Sequence, residues 1–173
     1  MSMSQTLAPH LPYLRRYARA LTGSQTSGDA HVRAALTALL AGDQSLMEGV
    51  PPRVGLYHLF HAIWQSGAEH YDQGDSLEAG GASRSPETRL RGLSANKRAA
   101  LLLTAVEAFS LEEAAFILDE SPEEVEAAIL GAQKTIDSQL ASKVLIIEDE
   151  PIIALDLEKL VTELGPKGVA IDA

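Results

Sequence analysis

The chain contains no cysteine among its 173 residues, which excludes disulfide scaffolds, thiolate zinc sites and cysteine nucleophiles. Aromatic residues are also scarce, at 5%. Apolar runs are short, as at 99–103 and 144–147, and none approaches the length that a bilayer-spanning helix needs. The amino terminus lacks the basic, apolar and small-residue order of a secretory signal. We therefore expect a cytoplasmic protein with no membrane partner.

Positive charge is in short supply. The chain has 24 acidic and 14 basic residues, for a net charge of −10. The imbalance is uneven, because residues 1–64 carry a net charge of +2 while residues 86–142 carry −5 and residues 143–173 carry −4. Such a balance repels nucleic-acid phosphates and favours basic partners.

Three stretches within the first 65 residues show apolar residues at helical spacing, at 7–21, 32–40 and 56–63. Glycines end the first two, since Gly23 and Gly42 suit the left-handed conformation that closes helices. We predict a small helical bundle here.

A second helical domain follows a glycine-rich acidic linker. Ser94 is expected to begin a helix that runs through Val106. Two Ser-x-x-Glu capping boxes then begin a short helix at Ser110 and a longer one at Ser121. A short helix, a tight turn and a second capped helix are typical of helix-turn-helix geometry.

The pattern changes after residue 143. A β-branched run at 144–147, a helical stripe at 153–164 and a second apolar run at 169–171 predict the start of a parallel β/α domain. Because so few residues cannot cover both faces of a sheet, we expect an incomplete domain. The fold class is thus mainly α, with two helical bundles and an incomplete β-α-β segment. The predicted domains are 1–65 (helical), 66–85 (linker), 86–142 (helix-turn-helix) and 143–173 (β-α-β).

The predicted recognition helix has the wrong charge for DNA. Residues 110–137 hold eight acidic residues and one basic residue, Lys134. Three of the acids, Glu123, Glu124 and Glu126, lie at the start of the second helix, where a DNA reader needs basic or amide side chains. DNA binding through this helix is therefore disfavoured.

Other candidate sites carry less weight. His58 and His61 share helical spacing, with His70 nearby, but no third ligand has a defined spacing, so packed or exposed imidazoles are favoured over a metal site. No phosphate-binding glycine loop and no activated nucleophile is evident, and we do not expect an enzyme. A basic stripe on the first helix is interpreted as a solvated face, with pairing to acidic groups of the linker or of residues 143–173 as the alternative: Arg15, Arg16 and Arg19.

The segments LSANKRAALLL (93–103) and FSLEEAA (109–115) resemble region four of ECF-type sigma factors. The first domain would then correspond to region two. The tail KVLIIEDEPIIALDLEKLV (143–161) resembles the first strand and helix of a two-component receiver domain. This fused order, with the opening LAPHLPYLRRYARALTGSQTSGD (7–29), resembles the PhyR-type general stress response regulators of alphaproteobacteria.

The resemblance implies a sigma-factor mimic. Such a regulator is phosphorylated on its receiver by an upstream histidine kinase, binds a NepR-type anti-sigma factor and thereby releases the true sigma factor. We expect an amphipathic helix of the anti-sigma factor in a groove between the two helical domains, with its basic residues meeting Glu123, Glu124 and Glu126. The alternative is a DNA-binding ECF sigma factor or a response-regulator transcription factor.

The resemblance also implies a magnesium site in the intact receiver. Glu148 and Asp149 follow the predicted first strand and would help to bind Mg²⁺ there. The phosphoacceptor aspartate is expected beyond Ala173, on a third strand. No cofactor is therefore expected within residues 1–173 themselves.

Overall fold

The computed structural model describes residues 3–42, 45–71, 90–140, 144–147, 150–163 and 169–172. The described chain is mainly helical. None of its helices is long and apolar enough to cross a membrane. The helices are α1 (Met3–Leu7), α2 (Leu11–Thr22), α3 (Gln25–Ala41), α4 (Pro52–Tyr71), α5 (Ala95–Leu101), α6 (Leu111–Leu118), α7 (Pro122–Leu140) and α8 (Pro151–Glu163), and the strands are β1 (Val144–Ile147) and β2 (Val169–Asp172).

The first predicted apolar stripe is divided between two helices. A short 3₁₀ turn, Ala8–His10, separates α1 from α2, and a proline lies at its start. Gly23 closes α2 in the left-handed conformation, at a φ of 69°, which confirms the predicted helix end. Gly28 lets α3 approach α2 closely, because a Cβ there would lie 2.8 Å from the backbone nitrogen of Arg19.

Helix α4 supplies much of the core. Leu56, Tyr57 and Phe60 are fully buried on it. The helix continues to Tyr71, so the first residues of the predicted linker are helical. The rest of that linker lies outside the described residues.

The two predicted capping boxes are confirmed. The Ser110 hydroxyl accepts a hydrogen bond from the Glu113 N–H at 3.1 Å, and the Glu113 carboxylate accepts one from the Ser110 N–H at 2.9 Å. Ser121 and Glu124 repeat the arrangement at 3.2 and 2.8 Å. Each box satisfies two backbone donors that the first turn of a helix leaves without partners.

The chain forms two compact units, Met1–Ala132 and Gln133–Ala173, and α7 runs from the first into the second. Within the first unit we call α1–α4 the amino-terminal half, and residues 90–132 the carboxy-terminal half. One continuous cluster of buried apolar residues extends through both halves. Helix α4 packs against α6, and the rings of Tyr57 and Phe109 meet at 4.9 Å.

The second unit contains the two strands, which pair in parallel with Val144 opposite Val169. Helix α8 connects them and packs against both. It exposes large apolar side chains, among them Ile152 and Leu155. Glu148 and Asp149, the predicted magnesium ligands, lie outside the described residues.

Candidate functional site

The three acids predicted to meet a protein partner are exposed near the start of α7. Glu123 and Glu126 extend from the first turns of the helix. Glu124 has a second role, because its carboxylate accepts the Ser121 N–H and caps the helix. This hydrogen bond lowers the pKa of Glu124 and keeps the side chain ionised. We call Glu123, Glu124 and Glu126 the α7 acidic surface.

The turn between α6 and α7 is fixed from both halves. Asp119 has a left-handed φ of 55°, and its carboxylate lies 3.1 Å from the His58 Nε2 atom of α4. Next to it, Asn96 donates a hydrogen bond to Glu120 at 2.6 Å. Burial raises the pKa of Glu120, and the charge of Glu124 adds to the effect. The acidic surface thus begins at a turn that side chains of α4 and α5 hold in place.

Two of the three arginines in the basic stripe, which lies on α2, form ion pairs with different acids. Arg15 donates to Asp29 of α3 at 2.9 and 2.7 Å, and this pairing lowers the pKa of Asp29. Arg16 instead reaches Glu107 of the carboxy-terminal half at 2.7 Å. These arginines therefore bind acids of the helical unit rather than forming a purely solvated face.

Glu107 is a buried acid that the sequence analysis did not single out. Its side chain is 0% exposed, and its carboxylate accepts hydrogen bonds from Arg16 and from the Tyr57 hydroxyl, the latter at 2.9 Å. Arg53 donates to the Glu107 carbonyl and lies 3.5 Å from the carboxylate. The one available signal was an acid placed between Val106 and Ala108 in a largely apolar stretch.

His61 is buried in the amino-terminal half. Its Nε2 atom is hydrogen-bonded to the Tyr17 hydroxyl at 2.5 Å, while Nδ1 has no hydrogen-bond partner. Burial lowers the pKa of His61 to about 3, so the imidazole is neutral. His58 contacts Asp119 instead of sharing a ligand with His61. Within the described ranges, no cluster of histidine and acidic side chains could hold a metal ion.

Helices α4 and α6 are in direct contact between the two halves. The His58 ring lies against Phe116 at 5.0 Å, beside the contact of Tyr57 with Phe109. The α7 acidic surface is exposed, and so is the α6–α7 turn, where the Asp119 side chain is 69% exposed.

Comparison with known proteins assigns a family to this arrangement. Residues 7–61 match the family model described as the sigma2 domain of PhyR, and residues 90–139 match the sigma-like domain of the response regulator PhyR. The first range lies in the amino-terminal half, and the second covers the carboxy-terminal half and continues along α7. PhyR of Sphingomonas sp. Fr1, solved in complex with NepR, is 45% identical to this chain with a TM-score of 0.66. The match covers 80% of this chain and 89% of that PhyR chain. The chain belongs to the PhyR family.

Two longer PhyR relatives extend the match to almost the whole chain. The phyllosphere-induced regulator PhyR of Methylorubrum extorquens is 41% identical over an alignment of 174 positions, which covers 99% of this chain and 62% of that protein. The anti-anti-sigma factor PhyR of Bartonella quintana, solved with the anti-sigma factor NepR, is 38% identical with a TM-score of 0.74 and covers 98% of this chain. This chain covers 63% of that PhyR chain. The chain therefore spans less than two thirds of the length of these two PhyR proteins.

Proposed function

We propose that this chain is the sigma-like part of a PhyR-type response regulator and binds a NepR-type anti-sigma factor in place of a sigma factor. Occupying the anti-sigma factor frees the true sigma factor for general stress transcription. Membership of the PhyR family supports this proposal, as do PhyR relatives solved in complex with NepR. The observation that carries it is the exposed α7 acidic surface, which suits a basic protein segment.

The same surface argues against promoter binding. The order of α6, a tight turn and α7 is that of a helix-turn-helix, in which the start of the second helix enters the major groove. Here that start carries Glu123, Glu124 and Glu126, which would face phosphates with like charge. Arg53, the only Lys or Arg of 43–64, is partly buried and binds Glu107. A sigma mimic needs this loss of DNA affinity if it is not to occupy promoters.

Regulation by phosphorylation is a further part of the proposal. The parallel β1–α8–β2 segment has the order in which a receiver domain begins. Glu148 and Asp149 follow Ile147 in the sequence, and carboxylates at the carboxyl end of a parallel strand suit Mg²⁺. The magnesium site, the phosphoacceptor beyond Ala173 and the upstream histidine kinase stay predictions.

The test is a titration of the full chain with a NepR-type anti-sigma protein at about 50 mM and about 200 mM salt, with labelled promoter DNA as the parallel ligand. The double variant Glu123→Lys/Glu126→Lys leaves the Ser121–Glu124 cap intact. We expect tight binding of the anti-sigma protein by the wild type and no DNA binding. The variant should bind the anti-sigma protein about tenfold more weakly at the lower salt concentration, and less so at the higher.

A matched control reverses two exposed acids elsewhere, as Glu48→Lys/Asp137→Lys. It changes the net charge equally and should retain most of the affinity. An equal loss of anti-sigma affinity in both double variants would show that the net charge alone causes it, and would contradict a specific role of the α7 acidic surface. Promoter binding without anti-sigma binding would favour the transcription-factor alternative and contradict the proposal.

A further inference from the structure

Glu107 connects the two helical halves through side chains that all belong to the other half. Its carboxylate receives Arg16 Nη2 at 2.7 Å, Arg16 Nε at 3.2 Å and the Tyr57 hydroxyl at 2.9 Å. Arg53 binds its carbonyl and lies over the Phe109 ring at 4.0 Å. A buried carboxylate is stable only with such partners, and every one of them comes from α2 or α4.

The local backbone places this acid against the other half. After α5 the chain widens into a π-helical turn, Leu102–Val106, and the Glu107 N–H donates to the Leu102 carbonyl at 3.0 Å. Ala108 then adopts a left-handed φ of 55°, a conformation that is unfavourable for a residue with a Cβ and persists only where surrounding contacts enforce it. The result is that Glu107 and Phe109 are both buried, while Val106 is exposed.

A second set of contacts between the halves lacks a buried acid. Arg98 donates to the Leu21 carbonyl at 2.7 Å, and Arg91 donates to the Gly23 carbonyl at 2.6 Å. These arginines bind the carboxyl end of α2, where cations are favoured. If the halves separate, water can hydrate the backbone carbonyls that these arginines bind. If the halves instead packed in a shifted arrangement, Glu107 would remain buried without its hydrogen-bond donors.

We propose that Glu107 is a positioning residue, which selects the one arrangement in which the carboxy-terminal half docks on the amino-terminal half. Docking is then a step separate from the folding of the amino-terminal half. Charged groups regain hydration when they separate, so the contacts of Glu107 oppose opening of the junction less than the apolar contacts beside them do. In a wrongly aligned junction the acid stays buried and unpaired, and that arrangement is excluded.

Region-resolved hydrogen exchange on the full chain tests the proposal with Glu107→Gln, which keeps the shape of the side chain and removes its charge. Amides of α6 should exchange about tenfold faster than in the wild type, since one lost charged hydrogen bond weakens docking by that order. Amides of α2 and α3 should keep their wild-type rates. The matched control is Asp29→Asn, which breaks an ion pair inside the amino-terminal half and should leave α6 unchanged.

A second variant, Arg16→Gln, changes a half-exposed side chain and serves if Glu107→Gln fails to fold. It should accelerate exchange in α6 as well, and the double variant should add little to Glu107→Gln because both changes remove the same contact. Uniform acceleration across α2, α3 and α6 would show that Glu107 supports general stability alone. Unchanged exchange in α6 would show that it does not position the halves. Either result overturns the proposal.

Discussion

The interior of the amino-terminal half and the junction between the halves use different chemistry. The interior packs Leu14, Leu21 and Phe60, all fully buried apolar side chains. The junction adds a buried carboxylate with arginine and tyrosine donors around Glu107. Apolar contacts are non-directional and scale with area, whereas a buried charge requires its donors in defined positions. The difference indicates that the interior supplies stability and the junction supplies alignment.

The largest expected effect tests the interior. Phe60→Ala removes a fully buried ring and should lower the free energy of unfolding by about 3–5 kcal/mol, measured by urea denaturation. Phe116→Ala is the matched control at the junction, where the ring is 37% exposed, and should cost about 1 kcal/mol. Equal losses in the two variants would remove the distinction between the regions.

A smaller effect is expected where α3 crosses α2. In Gly28→Ala the new methyl group would lie within 3 Å of backbone atoms of Ala18 and Arg19, which cannot move independently. We expect a loss of about 1–3 kcal/mol in thermal or urea unfolding. Gly55→Ala is the control, because its methyl group would meet only side-chain atoms, of Leu46 at 3.4 Å and of Val50 at 3.9 Å, and alanine favours the helix. A stable Gly28→Ala variant would contradict the close packing assigned to this crossing.

The smallest expected effect is a change in the free energy of unfolding with pH. It comes from His61, a polar side chain buried in the apolar interior of the amino-terminal half. Its pKa is about 3 when folded and about 6.5 when unfolded, so between these values the unfolded chain binds the extra proton. Stability should therefore fall as the pH decreases below about 6.5, by about 1.4 kcal/mol at pH 5.5. Urea unfolding followed by circular dichroism at pH 7.5 and 5.5 measures it.

The variant His61→Gln should lack this part of the pH dependence. The control His10→Asn, in the 3₁₀ turn before α2, should retain it. Identical pH dependence in His61→Gln and the wild type would contradict the neutral, buried state of the imidazole.

Local features were predictable from sequence. Gly23 and the serines at 110 and 121 set helix ends through contacts with residues only a few positions away, and the structure confirms all three. The family was also predictable, because the order of its segments is carried by the chain itself. Each of these signals depends on short-range sequence alone.

The junction was not predictable in this way. The helix beginning at Ser94 was expected to continue through Val106, but after Leu101 it widens into a π-helical turn that exposes Val106 and buries Glu107. The residues that stabilise Glu107 are distant in sequence, 91 residues away for Arg16 and 54 for Arg53. Periodicity cannot register such contacts. The α7 acids are exposed, and their role as a partner surface stays a prediction.

The lone tryptophan of the chain gives the amino-terminal half an optical reporter. Trp64 lies one helical turn after His61 on α4, and the two rings meet edge to face at a centroid distance of 5.6 Å. A protonated imidazole quenches indole emission by accepting electron density from the excited ring, whereas a neutral imidazole does so weakly. The intrinsic fluorescence of the unlabelled protein should therefore report both the integrity of this half and the charge of its buried histidine.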